Sequence, residues 1–273
     1  MDKSNANSRV SLPALAEVSK GLAPLGRMRL ACSLALPFVW SGMYFVFASW
    51  GWWPAAVFCL VALSFVTYGS VSHDLVQGNR GGSKRTNAIL LTLIELLAVR
   101  SGHAYRAAHL HHHARFPHDD DVEGAAAGMS LRWTLLEGVV FQWRIYGWAW
   151  RHAERGRGLI RLEGSVRGIA TLLSIVALPV TPIPFVYVAL MTMGTWMIPL
   201  ATSYVPHIRD GADELHRTRR FRGKVASLPA LEHLYHLEHH LYPAIPHHQW
   251  PALARRLDPY LDAAGVASVK FWF

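Results

Sequence analysis

Charged side chains vanish from two long stretches of this chain. From Leu30 to Ser72, and again from Gly168 to Pro206, there is no Asp, Glu, Lys, Arg or His over 43 and 39 residues. At about 1.5 Å rise per residue, helices of that length would run roughly 60 Å, against a hydrocarbon core of about 30 Å. Each stretch must therefore double back. The breaks are visible as WGWWP (Trp50 to Pro54) in the first and PVTPIP (Pro179 to Pro184) in the second. The pattern predicts two helical hairpins with four spans, at 30–49, 54–72, 166–181 and 185–205. Trp50, Trp52 and Trp53 at the first turn suit a membrane–water interface, where an amphipathic ring is stable.

Two shorter apolar runs carry charge. Asn87 to Val99 contains Glu95 and is too short to cross; Trp133 to Trp150 contains Glu137 and Arg144. Both are expected as helices lying at the cytoplasmic interface. Because each hairpin returns the chain to the side it left, the tail 1–29, the middle segment 73–167 and the segment 207–273 share one compartment. All 27 Lys and Arg and all 16 His fall in these three pieces, and the positive-inside rule makes that compartment the cytoplasm.

The expected fold class is thus an all-α integral membrane protein of one domain. It has four transmembrane helices in two hairpins (30–72 and 168–206), a cytoplasmic helical cap, and both termini on the cytoplasmic side of the inner membrane. Composition agrees: only 16% of residues are charged and 52% are hydrophobic, where a soluble domain averages nearer a quarter charged. The net charge of +9 does not point to nucleic acid, since the aromatic residues lie in apolar runs and do not alternate with a basic patch. Cys32 and Cys59 both sit in apolar runs and are expected as small packing residues. The first apolar run leads straight into a second span, unlike a secretory signal peptide.

The candidate chemistry is in the histidines. YRAAHLHHHARFP holds His109, His112 and His113; YHLEHHLYP holds His236, His239 and His240. Positions i, i+3 and i+4 share a helix face, so each triplet presents its rings together. Imidazole is the commonest metal-binding side chain. Six histidines exceed the ligand count of a tetrahedral zinc site, and His73 and His207, each closing a predicted span, bring the number to eight, enough for two metals. Imidazole suits iron with positions open to oxygen. Asp74, beside His73, and the run Asp119, Asp120, Asp121 are candidates to orient the rings, with a solvated loop as the plainer reading of the run. His233 shares the face of His236 and His240 and is a candidate supporting residue, whereas Glu238 is expected to point away. His103, His118, His152, His216, His247 and His248 are expected to be solvated or to serve packing, and His111 lies off the triplet's face.

A His-Asp pair after the second span, then HxxHH, then a span-ending histidine, then HxxHH followed by LYPAIP, resembles the membrane fatty acid desaturase superfamily, from about Leu30 to Leu261. That group includes acyl desaturases and hydroxylases and the carotenoid ketolases and hydroxylases. The resemblance implies two non-haem iron ions, O2 as co-substrate, and His73, His109, His112, His113, His207, His236, His239 and His240 as metal ligands. It also implies a lipid substrate entering from the bilayer, carried as acyl lipid, acyl-CoA or acyl-carrier, and a separate electron donor, a ferredoxin or flavoprotein reductase. Two positions depart from the pattern. Gln77 stands where the first box usually has a second histidine, and Ser203 stands where an asparagine often precedes the span-ending histidine. Gln77 is a candidate ligand through its amide oxygen or a water holder, Ser203 a candidate water holder; the alternative is one weakly held metal. The leading expectation is a fatty acyl desaturase or hydroxylase in lipid metabolism. The alternatives are a carotenoid ketolase or hydroxylase, and a metal-binding membrane protein without oxidase activity.

Overall fold

The computed structural model describes residues 11–22, 24–223 and 233–270. The ends of the predicted N-terminal and C-terminal segments, 1–10 and 271–273, lie outside the described residues. After a short turn of helix α1 (Leu15–Val18), helices α2 (Arg27–Ser49) and α3 (Trp53–Val66) form the first hairpin. Both are apolar on most faces, as helices immersed in hydrocarbon are, and Phe38, Val39, Phe45, Phe58 and Val61 project outward from the protein. Helix α2 is long and apolar enough to cross a bilayer alone, whereas α3, at 14 residues, is not. It continues without a break, however, through a π-helical turn (Thr67–Val71) into α4 (Ser72–Gln77).

The second hairpin joins α8 (Arg157–Val176) to α9 (Ile183–Gly194), and α9 runs on through a 3-10 turn (Thr195–Met197) into a second π-helical turn (Leu200–Tyr204). The stretch Ile183–Tyr204 is the second helix long and apolar enough to cross. Helix α8 is not one, and it starts well before the predicted span, with Arg157, Arg161, Glu163 and Arg167 in its first turns. Those charges are accommodated laterally. The Arg161 guanidinium lies 4.9 Å from the Trp150 ring, and that of Arg167 lies 4.9 Å from Trp143, both on α7 (Leu131–His152).

Helix α5 (Lys84–Leu97) does more than lie flat at the interface as expected. Its C-terminal end, Leu97 to Val99, packs in the same cluster as Tyr44, Cys59, Leu60, Leu63, Tyr187 and Met191 of the spans. The chain then bends by 108° into α6 (Gly102–Arg115). Tyr187 donates to the Leu97 carbonyl at 2.6 Å, giving a partner to a carbonyl at the helix end. A Cβ at Gly102 would meet Leu91 at 2.8 Å, so only glycine lets α6 begin this close to α5.

Two further helices follow, α10 (His236–Leu241) and α11 (Trp250–Ala263). In α11, Trp250, Leu253, Ala254, Leu257 and Leu261 are buried at helical spacing against Tyr235, Leu237 and Val18. A two-stranded parallel pair, β1 (Arg220–Arg222) with β2 (Ser268–Lys270), is a small departure from the expected all-helical fold. Both π-helical turns come just before a histidine of interest, His73 or His207. In each, a threonine hydroxyl bonds the carbonyl four residues back: Thr67 to Leu63 at 2.8 Å and Thr202 to Ile198 at 2.9 Å. Single π-helical turns recur where a helix must re-aim a functional side chain.

Candidate metal centre

The eight predicted histidines converge. Their ligating atoms form two sets, His73, His109, His113 and His239 in one, and His112, His207, His236 and His240 in the other, with the atoms of each set within 4.8 Å of one another. Each triplet is divided between the two. The i and i+4 rings of α6, His109 and His113, join the first group while His112 joins the second. On α10, His236 and His240 join the second while His239 crosses to the first. The span-ending histidines are shared out likewise, His73 to the first group and His207 to the second.

Within the first group the Nε2 atoms of His73 and His109 are 3.1 Å apart, those of His73 and His239 3.1 Å, of His109 and His113 3.2 Å, and of His113 and His239 2.7 Å. In the second, His236 to His240 and His207 to His240 are both 3.1 Å, and His112 to His240 is 3.3 Å. Four lone pairs facing one another this closely repel unless a cation lies between them. Nitrogens bound at about 2.0–2.1 Å to one metal stand about 3 Å apart, so the donor sets fit one metal each.

The far side of several rings is held by acceptors. His109 donates its Nδ1–H to Glu123 at 3.1 Å, His112 donates to Asp121 at 2.7 Å, and His207 donates to the Ser203 carbonyl at 3.1 Å. Such bonds place the proton on Nδ1 and leave the Nε2 lone pair free for a metal. Asp121 is itself fixed by the backbone N–H groups of Glu123 at 3.1 Å and Gly124 at 3.0 Å. A Cβ on Gly124 would run into the Asp121 carboxylate and the His112 ring. Burial and neighbouring imidazoles hold His73, His109, His207, His236, His239 and His240 well below the usual histidine range, and His113 down at about 2. His112 is the exception: burial pulls it down, but the bond to Asp121 and that carboxylate's charge lift it above its ordinary value. The rings are thus mostly neutral at ordinary pH, as metal ligands must be.

Two expected supporting carboxylates do other work. Asp74 adjoins His73 in sequence, yet its oxygens take the His247 ring at 2.7 Å, the His247 backbone N–H at 3.1 Å and Arg80 at 3.1 Å. It ties the α10–α11 connection to α4, and among the described residues it makes no hydrogen bond to a ligand ring, because a side chain on a helix points away from its immediate neighbour's. Asp120 is exposed and pairs with Arg115 at 3.0 Å, since in the run of three only Asp121 turns inward. His233 packs its ring 4.7 Å from His236 and 6.4 Å from His73, and burial holds it near about 4. It makes no hydrogen bond to a ligand among the described residues. Gln77 Nε2 and Ser203 Oγ are buried with no hydrogen-bond partner among the described residues. Gln77 lies four residues beyond His73 in α4, and Ser203 lies four residues before His207 in the π-helical turn.

Three contributors were not anticipated. Glu123 was signalled only by its place two residues after Asp121. Trp250, whose ring lies 5.4 Å from His73 and 5.0 Å from His239, walls the first group. His247 meets Asp74 across 173 residues, a pairing no local pattern announces. Glu238 points away as expected and is held by Arg222 at 2.6 Å. Compared with protein families, the chain matches the one described as fatty acid desaturase over residues 50–272. Compared with curated proteins, it finds no match.

Proposed function

The chain belongs to the fatty acid desaturase family, and from that premise we propose that it is an O2-dependent membrane oxidoreductase acting on a fatty acyl chain. The observation that carries this reading is the pair of four-imidazole groups within 4.8 Å. Imidazole sets of this kind suit iron among other metals, and the family's chemistry selects iron. A bound iron pair supplies the oxidising power, through O2, that an unactivated methylene requires.

The chain's own residues do the rest. Asp121, Glu123 and the Ser203 carbonyl fix the tautomer and aim of their rings. Trp250 against His73 and His239, and Phe116 with its ring 4.4 Å from His207, keep bulk water from the two groups. Gln77 Nε2 and the Ser203 hydroxyl, buried without partners among the described residues, are candidates to hold a water, and the Gln77 amide oxygen is the atom that would bind a metal directly. The substrate arrives laterally, with the outward apolar faces of the spans and of α7 against lipid.

The same reading makes 1–273 a single domain crossing the membrane four times. In it α3 with its π-helical turn forms the second crossing, α8 the third, and both termini are cytoplasmic. Electrons come from a separate ferredoxin or flavoprotein docking on the basic cytoplasmic face. The test is expression in a host that makes β-carotene, with acyl chains and pigments both profiled. New double bonds or hydroxyls on acyl chains are expected. Oxygenated carotenoids alone would transfer the assignment to the ketolase and hydroxylase branch, and neither product, with metal bound, would leave a binding protein.

A further inference from the structure

The corner between α5 and α6 contains a buried ion pair that the metal chemistry does not use. Arg100 Nε donates to Glu95 at 2.8 Å, and Nη2 donates both to the other Glu95 oxygen and to Thr67 Oγ1, each at 3.1 Å. Glu95 and Thr67 are fully buried and Arg100 nearly so. The backbone turns there through a Schellman closure: Val99 N–H bonds Leu96 O at 3.0 Å and Arg100 N–H bonds Glu95 O at 2.9 Å. Val99 occupies the left-handed position of that closure, with φ of 56°, where glycine is usual and a β-branched residue is strained. Such strain persists only where the surroundings over-determine the conformation, and a charged pair buried among apolar spans is retained for a reason other than solubility.

The two ends of this link lead to the first histidine group. Thr67 opens the π-helical turn that delivers His73. Arg100 stands two residues before α6, which carries His109 and His113. One planar guanidinium therefore ties the two elements that bring three of that group's four rings together; a lysine ammonium cannot reproduce its fork.

We propose that Arg100 is a positioning residue for the first histidine group, setting the spacing between His73 and the helix bearing His109 and His113 through Thr67. The second group draws only His112 from that corner, and His207, His236 and His240 come from other elements. The inference rests on reading the first group as a metal site.

The test uses the full chain in lipid nanodiscs loaded with Mn(II), counting manganese per chain and recording its electron paramagnetic resonance. Wild type and Thr67→Ser, which keeps the hydroxyl, are expected to hold two ions with an exchange-coupled spectrum. Thr67→Val removes the link to Nη2 together with the hydroxyl's own bonds to the Leu63 and Ser64 carbonyls and is expected to lose the first ion selectively, its affinity falling roughly tenfold or more, leaving an isolated-ion six-line spectrum. Arg100→Lys leaves those carbonyl bonds in place and is expected to lose the first ion in the same way, which assigns the loss to the guanidinium; should it fail to fold, a valine variant that keeps the coupled pair still overturns the role. Thr67→Val holding a coupled pair at wild-type affinity, or losing both ions together, overturns the role of Arg100. Wild type that binds no pair overturns instead the metal reading on which it rests.

Discussion

The two histidine groups use the same ligand types in a crossed arrangement, yet their supports are unequal. Around the second group two rings have polar supports, one of them short: Asp121 holds His112 at 2.7 Å and the Ser203 carbonyl holds His207 at 3.1 Å. Around the first, Glu123 reaches His109 at 3.1 Å, while Nδ1 of His73 and of His239 has no hydrogen-bond partner among the described residues (nor has that of His236 in the second group), and the His73 and His239 rings lie 5.4 Å and 5.0 Å from the Trp250 ring. The first group is also where Gln77 stands in place of the expected histidine. Ring orientation there depends on packing and on the α5–α6 corner more than on hydrogen bonds. The second group is accordingly expected to be the tighter metal site and the first the more labile one.

The largest effects come from removing a ligand. His113→Ala is expected to empty the first group and His240→Ala the second, each abolishing product formation while elemental analysis finds roughly one metal per chain. If either variant keeps both metals, the assignment of rings to groups is wrong. Next come the supporting carboxylates. Asp121→Asn should weaken the second group's metal by roughly 10- to 100-fold, and Glu123→Gln should weaken the first by less, as its longer bond implies. Chelator titration of each variant reads the ranking, and the opposite order would reverse the comparison.

Acid should act on the metal-free protein through the same rings. Seven of the eight titrate below 6.5 in the folded chain. As pH falls through about 6.5 the unfolded chain therefore takes up protons that the folded chain refuses. Stability is expected to be full above that pH and to decline below it, with His112, raised by Asp121, opposing the trend. A thermal midpoint that does not fall between pH 7 and 5 would contradict the buried, neutral state of the rings. The smallest expected effect is a gain: Gln77→His, placed one turn from His73, should slow metal loss from the first group to a chelator. No change would mean that Gln77 faces away from the metal.

Much of this centre was legible in the chain itself because its parts are local. HxxHH on a helix presents three rings on one face, and charge-free runs with Pro and Gly–Trp breaks fold back as hairpins. What escaped was tertiary. Nothing in the spacing says that His112 leaves its own triplet to join His236 and His240, since that depends on how α6 and α10 face each other. Asp74 was expected to orient a ligand ring because it follows His73, but adjacent helix positions diverge, and its partner, His247, comes from the far end of the chain. Helix α8 begins at Arg157, well before the predicted span at 166–181, because its early arginines find partners. They extend the helix by lying on the aromatic rings of α7. The dip of α5 among the spans was hidden by Glu95, whose charge is matched by Arg100 five residues later.

The central claim, that eight imidazoles make two adjacent four-nitrogen metal sites, is tested most directly by metal analysis of the full chain purified from iron-replete cells. The account predicts about two irons per chain, falling to about one in His240→Ala. Zinc in place of iron would contradict the oxidative role. Iron content unchanged by His240→Ala would contradict the sites themselves.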